Sequence, residues 1–398
     1  MRILFLHEVN YLTKPIFEMH EFPEQLVQLG NDVGFVQFPE GLPGPELSKT
    51  PFRQVISGRV LRSISLTLFT PKSISGGLAG RLSSALTFRP AFRRILAEFE
   101  PDIVVCFSVP TSGWQALNAC NKAGVPFVFR ALDVSHKIRK TIFSLPIAWA
   151  ERFIYRNADW VSANNPAMLA YVLANGGMKV KAGVNFPPLA HGHFARELSE
   201  NRVRRAQLGI PEDAKVLLYM GSFFYFSGLP DVIRGFAKKA ESSDYLILIG
   251  QGEQEQELKT IVTDLGVQDR VLFTGLISFS DLPSYLGMAD VSINPLRPSL
   301  VSHAALPNKV LQYMASGSFV VSTRLNGLEL SLGNELPGLM FVDDATELIR
   351  AALDLAHGPS DLKKLGADNA ERVKRLFAPE LAVRTFQDRL QTLVNVGK

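Results

Sequence analysis

The sequence predicts an α/β protein of two doubly wound, Rossmann-like domains, and three observations carry that expectation. Short apolar runs of strand character alternate with helical apolar periodicity along the chain, the pattern of parallel sheets with helical crossovers. The alternation breaks once, near residues 186–200, and then restarts in the same rhythm. The length, 398 residues, suits two domains of about 100–200 residues each.

In the first half, strands are expected at 3–6, 33–37, 103–107, 127–130 and 160–163, and helices at 22–29, 91–99, 113–123 and 145–156. Turn formers such as Gly30-Asn31-Asp32 and Gly124-Val125-Pro126 separate helix from strand. In the second half, strands are expected at 216–220, 245–249, 271–274, 291–293, 319–322 and 340–342. Helices are expected there at 230–239, 254–265, 281–288, 306–315, 345–355 and 362–377. Phe186-Pro187-Pro188, His191-Gly192-His193 and the polar stretch to Arg205 lack periodicity and read as a hinge or linker. The expected domains are therefore 1–187 and 188–378, with a last amphipathic helix in 379–398. Open parallel sheets bind ligands beyond the carboxyl ends of their strands, so two such edges facing across a hinge would form one cleft.

Composition excludes several classes. Hydrophobic residues make up 46% and charged residues 20%, as in globular proteins with full cores. The two cysteines, Cys106 and Cys120, sit among apolar or small neighbours and read as core residues, not as a disulfide framework. The start, Met1-Arg2-Ile3-Leu4-Phe5-Leu6-His7-Glu8, is apolar too briefly for a signal peptide and reads as a first strand. No run approaches the roughly 18 apolar residues of a membrane span. A soluble protein, peripheral to a membrane at most, is expected.

The net charge of +4 is unevenly placed: residues 49–97 carry nine bases and no acid, which leaves the rest net negative. Such asymmetry suggests an anionic partner. The bases are Lys49, Arg53, Arg59, Arg62, Lys72, Arg81, Arg89, Arg93 and Arg94. Interleaved with them are Val55, Ile56, Val60, Leu61, Ile64, Leu66, Leu68 and Phe69, a mixture that fits a face resting on anionic lipid. A solvated helical face fits equally. Nucleic acid fits less well, since no stacking-aromatic or helix-turn-helix pattern accompanies the charge.

Candidate ligand contacts cluster in the second half. Gly221-Ser222 and Gly250-Gln251-Gly252 each follow a strand and precede a helix, where glycine lets backbone amides approach a phosphate or sugar; turn sterics explain them as well. The block Leu306-Pro307-Asn308-Lys309-Val310-Leu311-Gln312-Tyr313-Met314-Ala315-Ser316-Gly317 is more informative. Pro307 suits the first helical turn and Gly317 the position just past the helix end. Lys309 near a helix N-terminus opposes the helix dipole, so a bound phosphate explains it better than helix stability does. Gln312 lies four residues beyond Asn308 on the same face, where its amide can hold two ribose hydroxyls.

The block resembles the donor-binding signature of glycosyltransferase family 4, in which Pro-Asn-Lys precedes an apolar pair, Glu, Tyr, Met, Ala and Gly. The passages Val271-Leu272-Phe273-Thr274-Gly275, Asp281 to Leu286, Ala289-Asp290-Val291 and Leu248 to Gly252 resemble further parts of that family, as do Ala158-Asp159 and Asn185 through Phe194. The resemblance spans about residues 100–360. It implies a GT-B fold, a nucleotide-sugar donor in the C-terminal domain, an acceptor in the N-terminal domain, retention of anomeric configuration and no required metal or cofactor. It also implies that 379–398 packs back on the N-terminal domain.

The departures are specific. The family's ribose-binding Glu corresponds to Gln312, and a second Glu, eight residues earlier, corresponds to Ala304. The usual diphosphate-gripping Arg and Lys correspond to Ser222 or Phe223 and to Ser227. A family histidine near Ser108–Pro110 is missing, and Thr13-Lys14-Pro15 stands where the family has a glycine pair. A hydrogen bond to a charged group is worth about 1.5–3 kcal/mol, so Gln312 would weaken ribose binding without abolishing it. Loss of two cations at a diphosphate is graver, because leaving-group charge must be stabilised. Lys309, Arg297 and His303 are the candidates to replace them. Asp133, after the strand at 127–130, matches an acidic position of some members and is a base toward an acceptor hydroxyl or a turn cap. His136 and His7 lie near the same strand edge.

The expected activity is hexose transfer from a nucleotide-sugar to an acceptor, such as a lipid-linked glycan for surface polysaccharide. The expected location is the cytoplasm, at the inner membrane face if 49–97 contacts lipid. Two other readings share the fold: a binding or accessory subunit without turnover, and a nucleotide-sugar epimerase.

Overall fold

A computed structural model of the chain describes all residues except 39–49, 73–76, 109, 139–142, 195–197, 335, 359–360 and 397–398. Two compact units are present, Met1–Pro188 with Pro379–Lys398, and Leu189–Ala378. Lys49 of the basic stretch, and the side chain of Arg81, lie outside the described residues.

The first unit begins β1 (Arg2–Leu6), α1 (Glu18–Gln28), β2 (Asp32–Val36), β3 (Arg53–Ser57), β4 (Ser65–Phe69) and α2 (Gly77–Phe99). It continues β5 (Ile103–Phe107), α3 (Pro110–Ala123), β6 (Phe127–Ala131), α4 (Ser135–Ile138), α5 (Ser144–Asn157), β7 (Trp160–Ala163), α6 (Pro166–Ala174) and β8 (Ala182–Val184). The sheet order is β3-β4-β2-β1-β5-β6-β7-β8. All neighbours are parallel except β3 with β4. Every residue of β5 and β6 is buried, as expected of parallel strands covered on both faces.

The second unit opens with α7 (Leu198–Gln207), β9 (Lys215–Met220), α8 (Leu229–Lys239), β10 (Asp244–Ile249), α9 (Glu255–Asp264), β11 (Val271–Gly275), α10 (Leu282–Gly287) and β12 (Val291–Asn294). It ends with α11 (Leu300–Ala304), α12 (Asn308–Ala315), β13 (Phe319–Thr323), α13 (Asn326–Leu332), β14 (Leu339–Val342), α14 (Ala345–Ala356) and α15 (Leu362–Leu376). Its parallel strands run β11-β10-β9-β12-β13-β14, so the order reverses between β9 and β12. That reversal opens a crevice at the carboxyl edge where such sheets take ligands. Leu217, Tyr219, Leu246, Leu248, Ile293 and Val321 share one buried cluster with apolar residues of α8, α9 and α14.

The final helix, α16 (Pro379–Val396), belongs to the first unit. Its Phe386 meets Phe22 of α1 at 4.8 Å between ring centroids, and Arg389 lies 3.6 Å over the Trp160 ring. Phe386 is 1% exposed, so Phe386→Ala should destabilise the unit by about 3–5 kcal/mol through lost burial and an unfilled cavity. Urea unfolding followed by circular dichroism measures this, and an unchanged midpoint would count against α16 as part of that core.

Two expectations need correction. The apolar half of the basic stretch is not one outward face: Leu66, Leu68 and Phe69 of β4 are buried. Arg59 is held inside the unit by the carbonyls of Tyr11 (2.7 Å) and Lys14 (2.5 Å). What stays exposed is Arg53 and Val55 on β3, Arg62 and Lys72, and Leu86, Arg89, Arg93 and Arg94 on α2. The polar stretch read as linker contains α7, which is bound to its own unit. Arg205 donates to the Met288 carbonyl (2.7 Å) and pairs with Asp290 (3.2 Å), while Asn201 donates to the Gly287 carbonyl (3.0 Å).

Candidate active site

At the end of β9, in the second unit, the buried Tyr313 hydroxyl accepts from the Met220 N–H (2.6 Å) and donates to the Met220 carbonyl (3.3 Å). This double contact pins α12 to the carboxyl edge of the sheet. Pro307, expected in the first helical turn, is instead the N-cap residue, and α12 begins at Asn308. One turn before Tyr313, Lys309 reaches the same strand end. Its ammonium donates to the Tyr219 hydroxyl (3.1 Å) and lies 4.2 Å from the centroid of that ring. The Tyr219 hydroxyl in turn donates to the Ser222 carbonyl (3.0 Å).

Desolvation, with no compensating carboxylate nearby among the described residues, lowers the Lys309 pKa to about 7. A lysine held this way gains charge stabilisation when an anion arrives. Asn308 and Gln312 are half-buried beside it, whereas Val310, Leu311, Tyr313 and Met314 face the interior. The three polar residues form one stripe at the N-terminal end of α12, where free N–H groups and the helix dipole favour negative charge.

Gly221 makes room for the ammonium. Its φ is +143°, and a Cβ there would stand 3.1 Å from Lys309 Nζ and 3.2 Å from the Tyr219 hydroxyl. Gly221→Ala should strain the backbone by about 1 kcal/mol or more and displace the amine, weakening anion binding about tenfold. Calorimetry on the variant tests this; unchanged affinity would detach Gly221 from the site.

The glycine expectation is corrected in part. The Gly221 N–H donates to the Ile249 carbonyl (2.9 Å) and the Gly250 N–H to the Gly275 carbonyl (2.9 Å), so both amides extend the sheet ladder. A Cβ on Gly250 would lie 2.1 Å from the Gly221 carbonyl oxygen, and one on Gly252 would lie 2.6 Å from the Phe223 nitrogen. Packing of one loop against the next is sufficient reason for both glycines.

Arg297 carries an ion pair of its own. Its guanidinium pairs with Asp231 of α8 at 2.9 Å, and its N–H donates to the Phe226 carbonyl (2.9 Å). His303 Nδ1 accepts from the Asn326 N–H (3.3 Å). Ser222 is exposed, Ser227 is buried beneath α8, and Ala304 is buried at the end of α11. Of the three basic candidates, Lys309 alone has no acidic or backbone partner among the described residues.

In the first unit, Asp133 follows β6. Burial, and secondarily the charge of Glu18, raises its pKa to about 6. Glu18 is itself buried and pairs with the fully buried Arg130 at 2.6 Å; Arg130 also donates to the Asn185 carbonyl (2.6 Å) and Ser162 hydroxyl (2.9 Å). His7 follows β1 and stacks on Phe107, and desolvation lowers its pKa to about 3, so it is neutral at working pH. His136 is oriented by Glu151, which engages Nδ1 at 2.7 Å. The sequence reading missed Glu8, whose carboxylate accepts from Thr111 Oγ1 (2.5 Å) and the Ser112 N–H (2.9 Å) and so anchors the start of α3.

Two doubly wound units, one with a lysine-bearing helix terminus at its topological switch point, define a GT-B glycosyltransferase. The chain belongs to the group 1 glycosyltransferases: residues 214–357 match the model described as "Glycosyl transferases group 1", and residues 19–185 match "Glycosyl transferase 4-like domain". Among curated relatives, the lipopolysaccharide core biosynthesis glycosyltransferase LpsE of Rhizobium meliloti is 31% identical over 55% of this chain and 57% of its own length. LpsD of the same organism is 25% identical over 79% of this chain and 83% of its own. Sucrose-phosphate synthase from Thermosynechococcus elongatus superposes with a TM-score of 0.82 at 19% identity, covering 99% of each chain. Anabaena HepE in complex with UDP superposes with a TM-score of 0.75 at 18% identity, covering 98% of this chain and 100% of HepE. These two likenesses concern the fold.

Proposed function

We propose that this glycosyltransferase moves a hexose from a nucleotide-sugar to a glycan acceptor with retention of configuration, and that the acceptor is lipid-linked. The observation that carries the reading is Lys309, an ammonium without a carboxylate partner at a helix N-terminus on the switch-point edge. In this scheme the donor diphosphate lies against Lys309 and the first N–H groups of α12, with Asn308 and Gln312 at the ribose. The bond from the anomeric carbon to the diphosphate oxygen breaks and a bond to the acceptor oxygen forms. Lys309 and the helix N-terminus stabilise the departing charge. On the first unit, Asp133, a carboxylate ionised above about pH 6, is the base this reading assigns to an acceptor hydroxyl.

Structures of HepE with UDP and with UDP-glucose support a nucleotide-sugar as the donor class, and the names of LpsE and LpsD support a lipopolysaccharide-type acceptor. A lipid-linked acceptor would place the protein at the inner membrane face, and the exposed Val55, Arg89 and Arg93 are compatible with that. No described helix is long and apolar enough to cross a membrane. Membranes supplied with radiolabelled nucleotide-sugars and purified protein test the activity; absence of enzyme-dependent label transfer would count against it.

A second reading, a donor-binding accessory subunit, is favoured by the buried Ala304 and by Arg297 being paired with Asp231. Donor binding without transfer or hydrolysis would select it.

A further inference from the structure

Helix α5 of the first unit buries Ala150, Glu151, Ile154 and Tyr155, and its opposite side mixes exposed apolar residues with Arg152 and Arg156. Leu145 is 82% exposed and Trp149, one turn later on the same face, is 58% exposed. Trp149 is braced in that position. It stacks on Phe153 at 5.4 Å with 17° between planes, and meets Trp114 of α3 edge-on at 6.2 Å. An exposed indole braced by two half-buried aromatics is not explained by the unit's own core.

The exposed charge of the sequence span that carries this face is of one sign. Between residues 110 and 157 the sequence has two acids, Asp133 and Glu151. Neither is exposed, and Glu151 is bound by His136. The exposed charged residues described in that span are Lys122, Lys137, Arg152 and Arg156, all basic.

We propose that the α5 face around Leu145 and Trp149 docks on an anionic phospholipid surface. Indole and leucine side chains favour the boundary between headgroups and acyl chains, and flanking cations are drawn to acidic headgroups. A protein partner fits less well, because a stable protein interface needs about 800 Å² per partner and this ledge offers a few side chains. The inference deepens the reading of a membrane-borne acceptor and assigns the main contact to α5, with the exposed bases of residues 53–94 as a second charged surface.

Sedimentation with phosphatidylcholine vesicles, with and without phosphatidylglycerol, tests the proposal on three forms of the full chain. These are wild type, a Leu145→Glu/Trp149→Glu double variant and an Arg89→Gln/Arg93→Gln double variant. The expected result is wild-type binding that requires phosphatidylglycerol, reduced about tenfold or more by the α5 changes and less than threefold by the α2 changes. Equal thermal melting of the three forms would show that the fold is intact. As a second readout, brominated phosphatidylglycerol should quench wild-type tryptophan fluorescence, and Trp149→Phe should remove that quenching. Wild-type binding insensitive to the α5 changes would overturn the assignment while leaving membrane association standing. No wild-type binding would overturn both, without touching glycosyl transfer to a soluble acceptor. A dimer that Trp149→Glu dissociates would give the face to a second copy instead.

Discussion

Lys309→Ala is expected to lower kcat/KM for glycosyl transfer by on the order of 10²–10³-fold, the usual cost of removing a donor that stabilises leaving-group charge. The size follows from the lysine's isolation. Arg297 is engaged by Asp231, His303 by the Asn326 N–H, and serines occupy positions 222 and 227, so no other described cation is poised to substitute. Lys309→Arg should rescue poorly. The ammonium fits a space bounded by Gly221 and the Tyr219 ring, and a planar guanidinium there would meet the Tyr219 hydroxyl and the loop backbone. Fold should survive the change to alanine, because desolvating the ammonium costs stability in the unliganded protein. A steady-state assay with matched circular dichroism spectra checks this. A loss under threefold would mean that the leaving charge is stabilised elsewhere.

The pH profile should be narrow. In the proposed scheme Asp133 would act as a base when ionised, above its pKa of about 6. Lys309 would act when protonated, below its pKa of about 7. Activity in kcat/KM, which reports the free enzyme, should therefore rise as pH climbs through about 6 and fall as it passes about 7. A bound diphosphate favours the ammonium, so the alkaline limb in kcat should move upward relative to kcat/KM. Two substitutions separate the limbs: Asp133→Asn should abolish the acid limb together with most activity, and Lys309→Ala should remove the alkaline limb from donor binding. An alkaline limb that survives Lys309→Ala unchanged would assign it to another group.

Much of the second unit was legible in the sequence, for a physical reason. Its strands are short apolar runs closed by glycine or a charged turn, and buried parallel strands leave that signature. Leu246 to Ile249 before Gly250 and Phe319 to Ser322 after Gly317 are examples. The antiparallel β3–β4 pair was not legible. β3 (Arg53-Gln54-Val55-Ile56-Ser57) is largely polar and half exposed at the sheet edge, so only its pairing with the buried β4 marks it as a strand. Helix α7 escaped because it is polar almost all round and is held by Arg205 and Asn201 to residues more than 80 positions away.

At the site, Lys309 and Gln312 were readable from a compact motif, and α12 carries them on one face. The long-range partners were hidden. Nothing local to Arg297 signals Asp231, 66 residues earlier, and nothing local to Lys309 signals Tyr219. Gly250 and Gly252 were ambiguous because glycine before a helix has two uses, close ligand approach and close loop packing. The 2.1 Å that would separate a Cβ at 250 from the Gly221 oxygen supplies a packing reason.

The central claim is a nucleotide-sugar held by Lys309. Calorimetric titration of UDP-, GDP- and ADP-sugars at pH 6.5, into wild type and Lys309→Ala, tests it most directly. The account predicts selective binding for one base, weakened at least tenfold by the substitution. Binding of equal strength to both proteins, or to neither, would contradict it.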